Sequence, residues 1–434
     1  MSSSSSRTLR FLTPEQNLAI DRLFDYDHTI LVAATGVGKT IIALTAIHDL
    51  IEQEHLRKVI VAAPAKVIEK MIWPNETAKW DHLRALSLVQ LDGNSEQRTK
   101  RLLTSMGEVD ILLVSLNNLA WLLDQDHECD GIIIDELSKA SGKWTKSLKS
   151  KKKTGRLKWR VGMTATPVSQ DFVKLYSLAR IIDCGKSLGT NKQAYLNAYF
   201  DSDYMGYHLT LKGFADAQIM DKVRSLVHLV TDDKAKTLPT LRQEVIKFDM
   251  PAKTRTIYNE MKRHMVVGDI EAANQAVKSG KLRQLASGFL YDVNGTDWLA
   301  YDVTRFCKVD DWVRSLNGKP GLIFYEFVAQ GKWLESVGAH ANHFKNITTA
   351  QVQSMSHGID GLQHEFADVL FVQPVWSRDM AEQAVGRVWR QGQTRPVCVT
   401  TLICKNTLDE LVLQRVEDKG QWMKLFTAHL QSED

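Results

Sequence analysis

The chain has 434 residues, 44% hydrophobic and 24% charged, which is too long for one typical core and calls for two or more globular domains. No apolar run reaches transmembrane length, so a membrane-spanning class is excluded, and a net charge of +4 permits a polyanionic partner without demanding one. Five cysteines (Cys129, Cys184, Cys307, Cys398 and Cys404) without a CxxC pair, and thirteen histidines without metal-ligand spacing, argue against a disulfide framework or a zinc site and fit a reducing cytoplasm.

In chain order, residues 1–10 (MSSSSSRTLR) are polar, lack the apolar core of a signal peptide and read as a disordered tail. Next, HTILVAATGVGKTIIALTAIHDLI (28–51) gives an apolar β-branched run, a glycine-rich turn and an amphipathic run: strand, loop, helix. The loop Thr35-Gly36-Val37-Gly38-Lys39-Thr40 ends in the GK[ST] of a phosphate-binding loop, although Ala34 stands where its first glycine is usual. Gly36 and Gly38 let backbone N–H groups curl toward phosphate oxygens. Lys39 supplies a compact charge for the β- and γ-phosphates, and Thr40 a hydroxyl for Mg²⁺. The plain alternative is a glycine-rich strand-to-helix turn.

The run GIIIDELSKA (131–140) is an apolar strand ending in two carboxylates. Packing alone does not favour adjacent acids at a buried strand end, and a bound Mg²⁺ would resolve the conflict. Asp135 fits as the metal-holding acid and Glu136 as the group that orients or deprotonates an attacking water. Nine basic residues and no acid fill KWTKSLKSKKKTGRLKWR (143–160). This run is either a solvated auxiliary segment or a grip on phosphate backbone, with Trp144 and Trp159 at hand for stacking. WRVGMTATPVS (159–169) reads as another strand, ending at Thr164, Ala165 and Thr166, whose hydroxyls can bond the acid pair or a moving neighbour; a simple β-turn before Pro167 is the alternative.

Near the other end lies QAVGRVWRQGQTRPV (383–397). On a helix stopping at Gly392, Gln383, Arg387 and Arg390 would share one face. Two guanidinium groups on a second lobe supply the positive charge that a phosphate-loop lobe lacks opposite the γ-phosphate. A solvated basic helix face is the alternative.

Taken together, AATGVGKT, IIIDELSKA, GMTATP and QAVGRVWRQGQ resemble motifs I, II, III and VI of superfamily-two helicases. VIVAAPAKVIEKMIWPNETAKW (59–80), ILLVSLNNLAWLL (111–123), KPGLIFYEF (319–327), QVQSMSHGIDGLQHEFADVLF (351–371) and VCVTTLICKNTLDELVLQRVEDK (397–419) narrow the resemblance to Swi/Snf-type ATPases, most similar to compact members carried by bacteriophages and prophages. The resemblance implies an α/β fold of two RecA-like parallel-sheet lobes in tandem, with helical insertions and an interlobe ATP cleft. It implies ATP and Mg²⁺ as cofactors. It casts Gln16 as the residue that reads adenine, and Thr164 and Thr166, around Ala165, as the coupling between nucleotide and nucleic acid. Arg387 and Arg390 become arginine fingers, with Gln383 beside them, and Ser354, Gly358 and Asp360 line the cleft. The chain departs from the pattern at Ser138, which replaces the usual histidine of motif II, and in the short stretch of about thirty residues between motifs IV and V, which puts strong unwinding in doubt.

The expected organisation is a tail (1–10), lobe one (11–170), helical protrusions and linker (171–300), lobe two (301–420) and a C-terminal tail (421–434). The expected function is a DNA-dependent ATPase moving on or remodelling duplex or branched DNA in phage replication or recombination. It would be a monomer in the cytoplasm of a bacterial host, with replication or recombination proteins as candidate partners and no membrane. An RNA helicase of the same superfamily, or a regulatory nucleic-acid-binding module with weak ATPase, are the competing readings.

Overall fold

The short β-branched runs of the first half become parallel strands. They are β1 (His28–Ala33), β2 (Val59–Ala63), β3 (Leu88–Leu91), β4 (Ile111–Ser115), β5 (Gly131–Asp135) and β6 (Trp159–Thr164); β7 (Phe200–Ser202) and β8 (Leu209–Leu211) form a separate hairpin, and β9 (Val227–Val230) rejoins the sheet. The structure, a computed structural model, describes residues 7–34, 36–105, 107, 109–140, 142–150, 154–165, 172–202, 209–230, 238–268, 270–355 and 361–414. The seven strands run in the order β3-β4-β2-β5-β6-β1-β9, and every pairing is parallel. Parallel sheets need cover on both faces, which is why these strands read as continuous apolar runs. Alternate residues supply it: Ile30, Val32, Ile132 and Ile134 pack on one side with the helix Phe172–Asp183. Leu31, Ala33, Ile133 and Met163 pack on the other with the helices Pro14–Asp25 and Lys39–Glu52.

The second unit repeats the scheme. β10 (Leu241–Phe248) is followed by two small hairpins, β11 (Val266–Val267) with β12 (Ile270–Glu271) and β13 (Phe289–Tyr291) with β14 (Trp298–Ala300). Then come β15 (Gly321–Tyr325), β16 (Ile347–Gln351), β17 (Asp368–Phe371) and β18 (Val397–Cys404). The sheet order is β10-β18-β17-β15-β16, again all parallel. Two α/β units on parallel sheets is the fold class the sequence implied.

The internal boundaries are redrawn. The chain divides at 232/233, not at 170 and 301. Residues 172–230 belong to the first unit, because β9 pairs with β1. Residues 241–300 belong to the second, because β10 pairs along its whole length with β18. The expected helical block at 171–300 is therefore a mixture of helices, hairpins and two sheet strands. The basic run is corrected as well. Trp144 and Trp159 are buried, with the Trp159 indole donating to Leu23 O at 2.9 Å, so neither is placed for base stacking. Arg160 is also buried and donates to the carbonyls of Leu157, Leu148, Ile181 and Thr154, which makes it a structural tie. Lys151, Lys152 and Lys153 lie outside the described residues.

The second unit is held by a buried ion pair. Arg305 (1% exposed) donates to the Asp409 carboxylate (0% exposed), to Val372 O at 2.6 Å and Leu402 O at 3.2 Å, and to Ala286 O. One guanidinium thus joins the ends of β17 and β18 to the helix Gln275–Ala286. Breaking a buried pair from one side leaves a charge without compensation, at about 3–5 kcal/mol. Asp409→Ala should therefore destabilise the second unit by about that amount, and Arg305→Met combined with Asp409→Leu should recover most of the loss. Hydrogen exchange at the β17 and β18 amides reads both; unchanged protection in Asp409→Ala would show that the pair is not what holds the strand ends.

Candidate nucleotide site

Parallel strands place their carboxyl ends on one edge of a sheet, and loops at that edge carry the site. Val32 of β1 pairs with Thr164 of β6, and Met163 of β6 pairs with Asp135 of β5. The loop after β1, the acid pair after β5 and the end of β6 therefore converge. Gly36 and Gly38 adopt φ of 92° and 91°, a region that favours glycine. A Cβ on Gly38 would also stand 2.6 Å from Gln16 Nε2. Gly38 begins the helix Lys39–Glu52 without any side-chain cap, leaving first-turn N–H groups for an anion.

Lys39 Nζ folds back over the loop and donates to Ala33 O at 2.8 Å and Ala34 O at 3.1 Å. Burial pushes its pKa down, while the charges of Glu136 and Asp135 pull it back up. The Asp135 carboxyl is pushed up to about 6, first by burial and next by the adjacent Glu136 charge. Lys39, the Glu136 backbone N–H and the Trp73 indole oppose that rise. The indole acts by proximity, since Trp73 Nε1 makes no bond of full hydrogen-bond geometry. Glu136 itself sits in the left-handed region at φ 58°, ψ 50°, an unfavourable backbone for glutamate that swings it out of the line of β5. Oxygen donors of the Asp135 and Thr40 type suit Mg²⁺, which binds through one or two carboxylates plus phosphate oxygens rather than in an all-protein cage. Among the described residues no group of three or more His, Cys, Asp or Glu is arranged to hold a metal.

Gln16 reaches the same loop. Its Nε2 donates to Val37 O at 2.7 Å and its Oε1 accepts from Thr13 N at 2.9 Å. Thr164 is buried at the end of β6, and Ala165 follows it half-buried. Thr35 and Thr166 lie outside the described residues.

In the second unit the arginine segment departs from expectation. The helix is Arg378–Val385, so Gln383 is helical and buried, whereas Arg387 and Arg390 lie in the turns beyond it. They do not share a helix face with Gln383. The physical reason is tertiary. Trp389 donates from its indole to Pro239 O at 2.7 Å, and Gln393 bonds Phe366 O, Val388 O and the N–H groups of Thr394 and Arg395, so the chain is captured in turns. Gly392, at φ 93° and with His364 Cε1 2.9 Å from where a Cβ would stand, is a turn residue and not a helix cap. Gly358 and Asp360 lie outside the described residues, and Ser354 falls in the short helix Val352–Met355.

Sequence reasoning missed several polar residues at strand ends. Arg283 pairs with Glu326 at 2.6 Å and also donates to Pro374 O. Gln373 donates to Glu326, and Gln330 donates to both Gln373 and Ser287. The available signal was a single polar residue just after an apolar strand, Glu326 in IFYEF and Gln373 in LFVQP.

Comparison with known proteins shows what the chain is similar to. The SNF2-related domain family matches residues 16–291. The chain is 26% identical to "Putative protein p41" of Acyrthosiphon pisum secondary endosymbiont phage 1, over 94% of this chain and 95% of that one. It is 23% identical to the probable ATP-dependent DNA helicase CHR12 of Arabidopsis thaliana over 90% of this chain, but spans only 39% of that protein's length. A DNA repair and recombination protein RAD54-like of Drosophila willistoni is 23% identical over 94% of this chain and 62% of its own length. Among solved structures, the Sulfolobus solfataricus SWI2/SNF2 ATPase core in complex with dsDNA aligns over 96% of this chain and 94% of that one, at 19% identity and a TM-score of 0.45.

The raised Asp135 pKa yields a stability test. A carboxyl near 6 in the fold and about 3.9 when unfolded holds its proton more tightly in the native state. Its ionisation therefore costs stability, fully above about pH 6 and progressively less down to about pH 4. Asp135→Asn should stabilise the nucleotide-free protein above pH 6, by at most about 3 kcal/mol, and the gain should shrink as pH falls to 4. Denaturant midpoints of the two proteins across that range check it; a gain independent of pH would dissociate the effect from this carboxyl.

Proposed function

The chain belongs to the SNF2-related domain family, and on that premise we propose that it is an ATP hydrolase whose turnover is driven by DNA. The observation that carries this reading is the convergence of Lys39, Asp135 and Glu136 at one sheet edge beside an uncapped helix start. In the proposal, Lys39 and the first-turn N–H groups bind the β- and γ-phosphates. Asp135 and the Thr40 hydroxyl would hold Mg²⁺, which when bound neutralises phosphate charge. Glu136 orients the attacking water and accepts its proton. Gln16 holds the loop from the adenine end, and Thr164, Ala165 and Thr166 couple it to nucleic acid. Arg387 and Arg390 supply charge to the γ-phosphate as hydrolysis proceeds, whereas Gln383, buried in its helix, supports the segment that carries them. Gly358 and Asp360 complete the second unit's contribution.

The finer reading is a translocase on duplex or branched DNA, serving phage replication or recombination as a monomer in the bacterial cytoplasm. Its likeness to a phage protein along nearly the whole of both chains supports the phage setting. Among the described residues no helix is long and apolar enough to cross a membrane.

ATPase rates measured with duplex DNA, branched DNA, single-stranded DNA and RNA decide between the readings. Duplex or branched DNA should stimulate most, and Lys39→Ala should abolish the rate with every polymer. Stimulation by RNA alone would replace this reading with an RNA helicase, and no stimulation by any would leave a regulatory binding module.

The arginines separate ground-state binding from catalysis. A charge that meets the γ-phosphate mainly in the transition state lowers kcat when removed and leaves affinity nearly unchanged. Arg387→Ala and Arg390→Ala should each reduce DNA-stimulated kcat by roughly 10²-fold or more with nucleotide affinity retained. Normal turnover in both variants would return the segment to a solvated basic surface.

A further inference from the structure

Trp73 belongs to a stretch of sequence to which the nucleotide chemistry assigns no role. It is 0% exposed, among the largest fully buried side chains, and its indole Nε1 has no hydrogen-bond partner. A buried indole N–H almost always finds an acceptor, because leaving it unbonded forfeits its hydration. The surroundings point to which acceptor it serves. The helix Ile72–Thr77 lies downstream of the carboxyl end of β2 and packs on the helix Lys39–Glu52, whose first turn carries Lys39 and Thr40. Trp73 shares a core cluster with Ile41, Leu44, Ala63, Ile133 and Met163. Side chains alternate along a strand, so Asp135 projects on the same face of β5 as Ile133, one step nearer the nucleotide edge.

We propose that Trp73 is a positioning residue for the metal-holding carboxylate: its indole N–H bonds one oxygen of Asp135 and turns the other toward the Mg²⁺ of the bound nucleotide. This rests on the nucleotide-site reading above. An indole suits the task because it has one donor and no acceptor, so it can engage a single carboxylate oxygen and cannot itself take the metal. Its ring is locked by the core, which fixes the direction of that donor. In the structure the indole N–H is unpartnered, and a small rotation of the Asp135 carboxyl would bring an oxygen to it. The alternative is that Trp73 only fills volume beneath the loop.

The test separates metal affinity from nucleotide affinity. Binding of a non-hydrolysable ATP analogue is measured by calorimetry in EDTA and across a Mg²⁺ series, for wild type and Trp73→Phe. Affinity in EDTA should be unchanged. The Mg²⁺ concentration that gives half the metal-dependent tightening should rise about tenfold or more, as for other groups that orient a metal ligand. Saturating Mg²⁺ should restore both the affinity and the turnover. If Trp73→Phe does not fold, replacing the indole at position 73 with its benzothiophene analogue, which keeps the bicyclic shape and deletes the N–H, carries the same test. A folded variant with wild-type Mg²⁺ dependence, or one that loses affinity equally with and without metal, overturns the proposal in favour of packing. A wild-type protein whose analogue binding ignores Mg²⁺ would sink the nucleotide-site reading itself, and the proposal with it.

Discussion

The register of three strands, β1 against β6 and β6 against β5, is the constraint on which the site depends. Because the pairings are parallel, Asp135 stands level with Met163, one residue before Thr164, which stands level with Val32. The chain must then leave each strand at the same edge, and it does so with chemically different loops. Two glycines in the left-handed region follow β1, and a left-handed glutamate follows β5. Neither conformation serves the core. Burying Lys39 and Asp135 together costs hydration, which pushes the Lys39 pKa down and the Asp135 pKa up. Proteins tolerate such local losses at sites that bind ligands, and the uncapped start of the helix Lys39–Glu52 stands beside them.

The second unit uses the same sheet geometry for a different end. Its strands also finish in polar residues, but there they are bonded to one another. Glu326 follows β15 and takes Arg283 and Gln373, while Gln330 ties Gln373 to Ser287. Arg305 and Asp409 close the neighbouring strand ends. A buried polar network whose members are paired holds its elements rigidly. One sheet edge thus ends in an uncapped helix start, and the other in polar residues bonded largely to one another, although Arg283 Nε and Asp409 Oδ1 stay buried without a partner. The first unit suits binding, and the second suits carrying a fixed segment such as Gly386 to Gln393.

Legibility in the sequence follows the range of the forces involved. The glycine turn after β1 and the acids at the end of β5 were readable as structure because their constraints are local: glycines at fixed offsets and two carboxylates ending an apolar run. The parallel fold was readable from the uninterrupted apolar strands. β10 was not, because LRQEVIKF is half polar and mostly exposed, and only its pairing with β18, more than 150 positions on in register, makes it a strand. The arginine segment was misread as a helix for the same reason. Helical spacing is a local property, whereas the turns at 386–390 are held by Trp389 bonding Pro239, far away in the chain. The aromatic residues of the basic run looked available for stacking, since burial is not visible in a list of nearby charges.

Gln16 shows how closely local and distant demands can meet in one side chain. In the helix Pro14–Asp25 it completes a capping box, its Oε1 accepting from Thr13 N while Thr13 Oγ1 accepts from Gln16 N. That motif is met as well by glutamate as by glutamine. The other end of the amide decides between them. Nε2 donates to Val37 O, inside the phosphate loop. Glutamate would keep the cap, but it would set a carboxylate oxygen against the Val37 carbonyl oxygen and lose that donor. The same contact explains Gly38, since any Cβ there would collide with that amide even if the backbone accepted φ of 91°. The cap fixes the helix start, the helix start fixes the amide, and the amide fixes the loop, so the curvature of the phosphate loop is set in part by a helix that precedes the first strand.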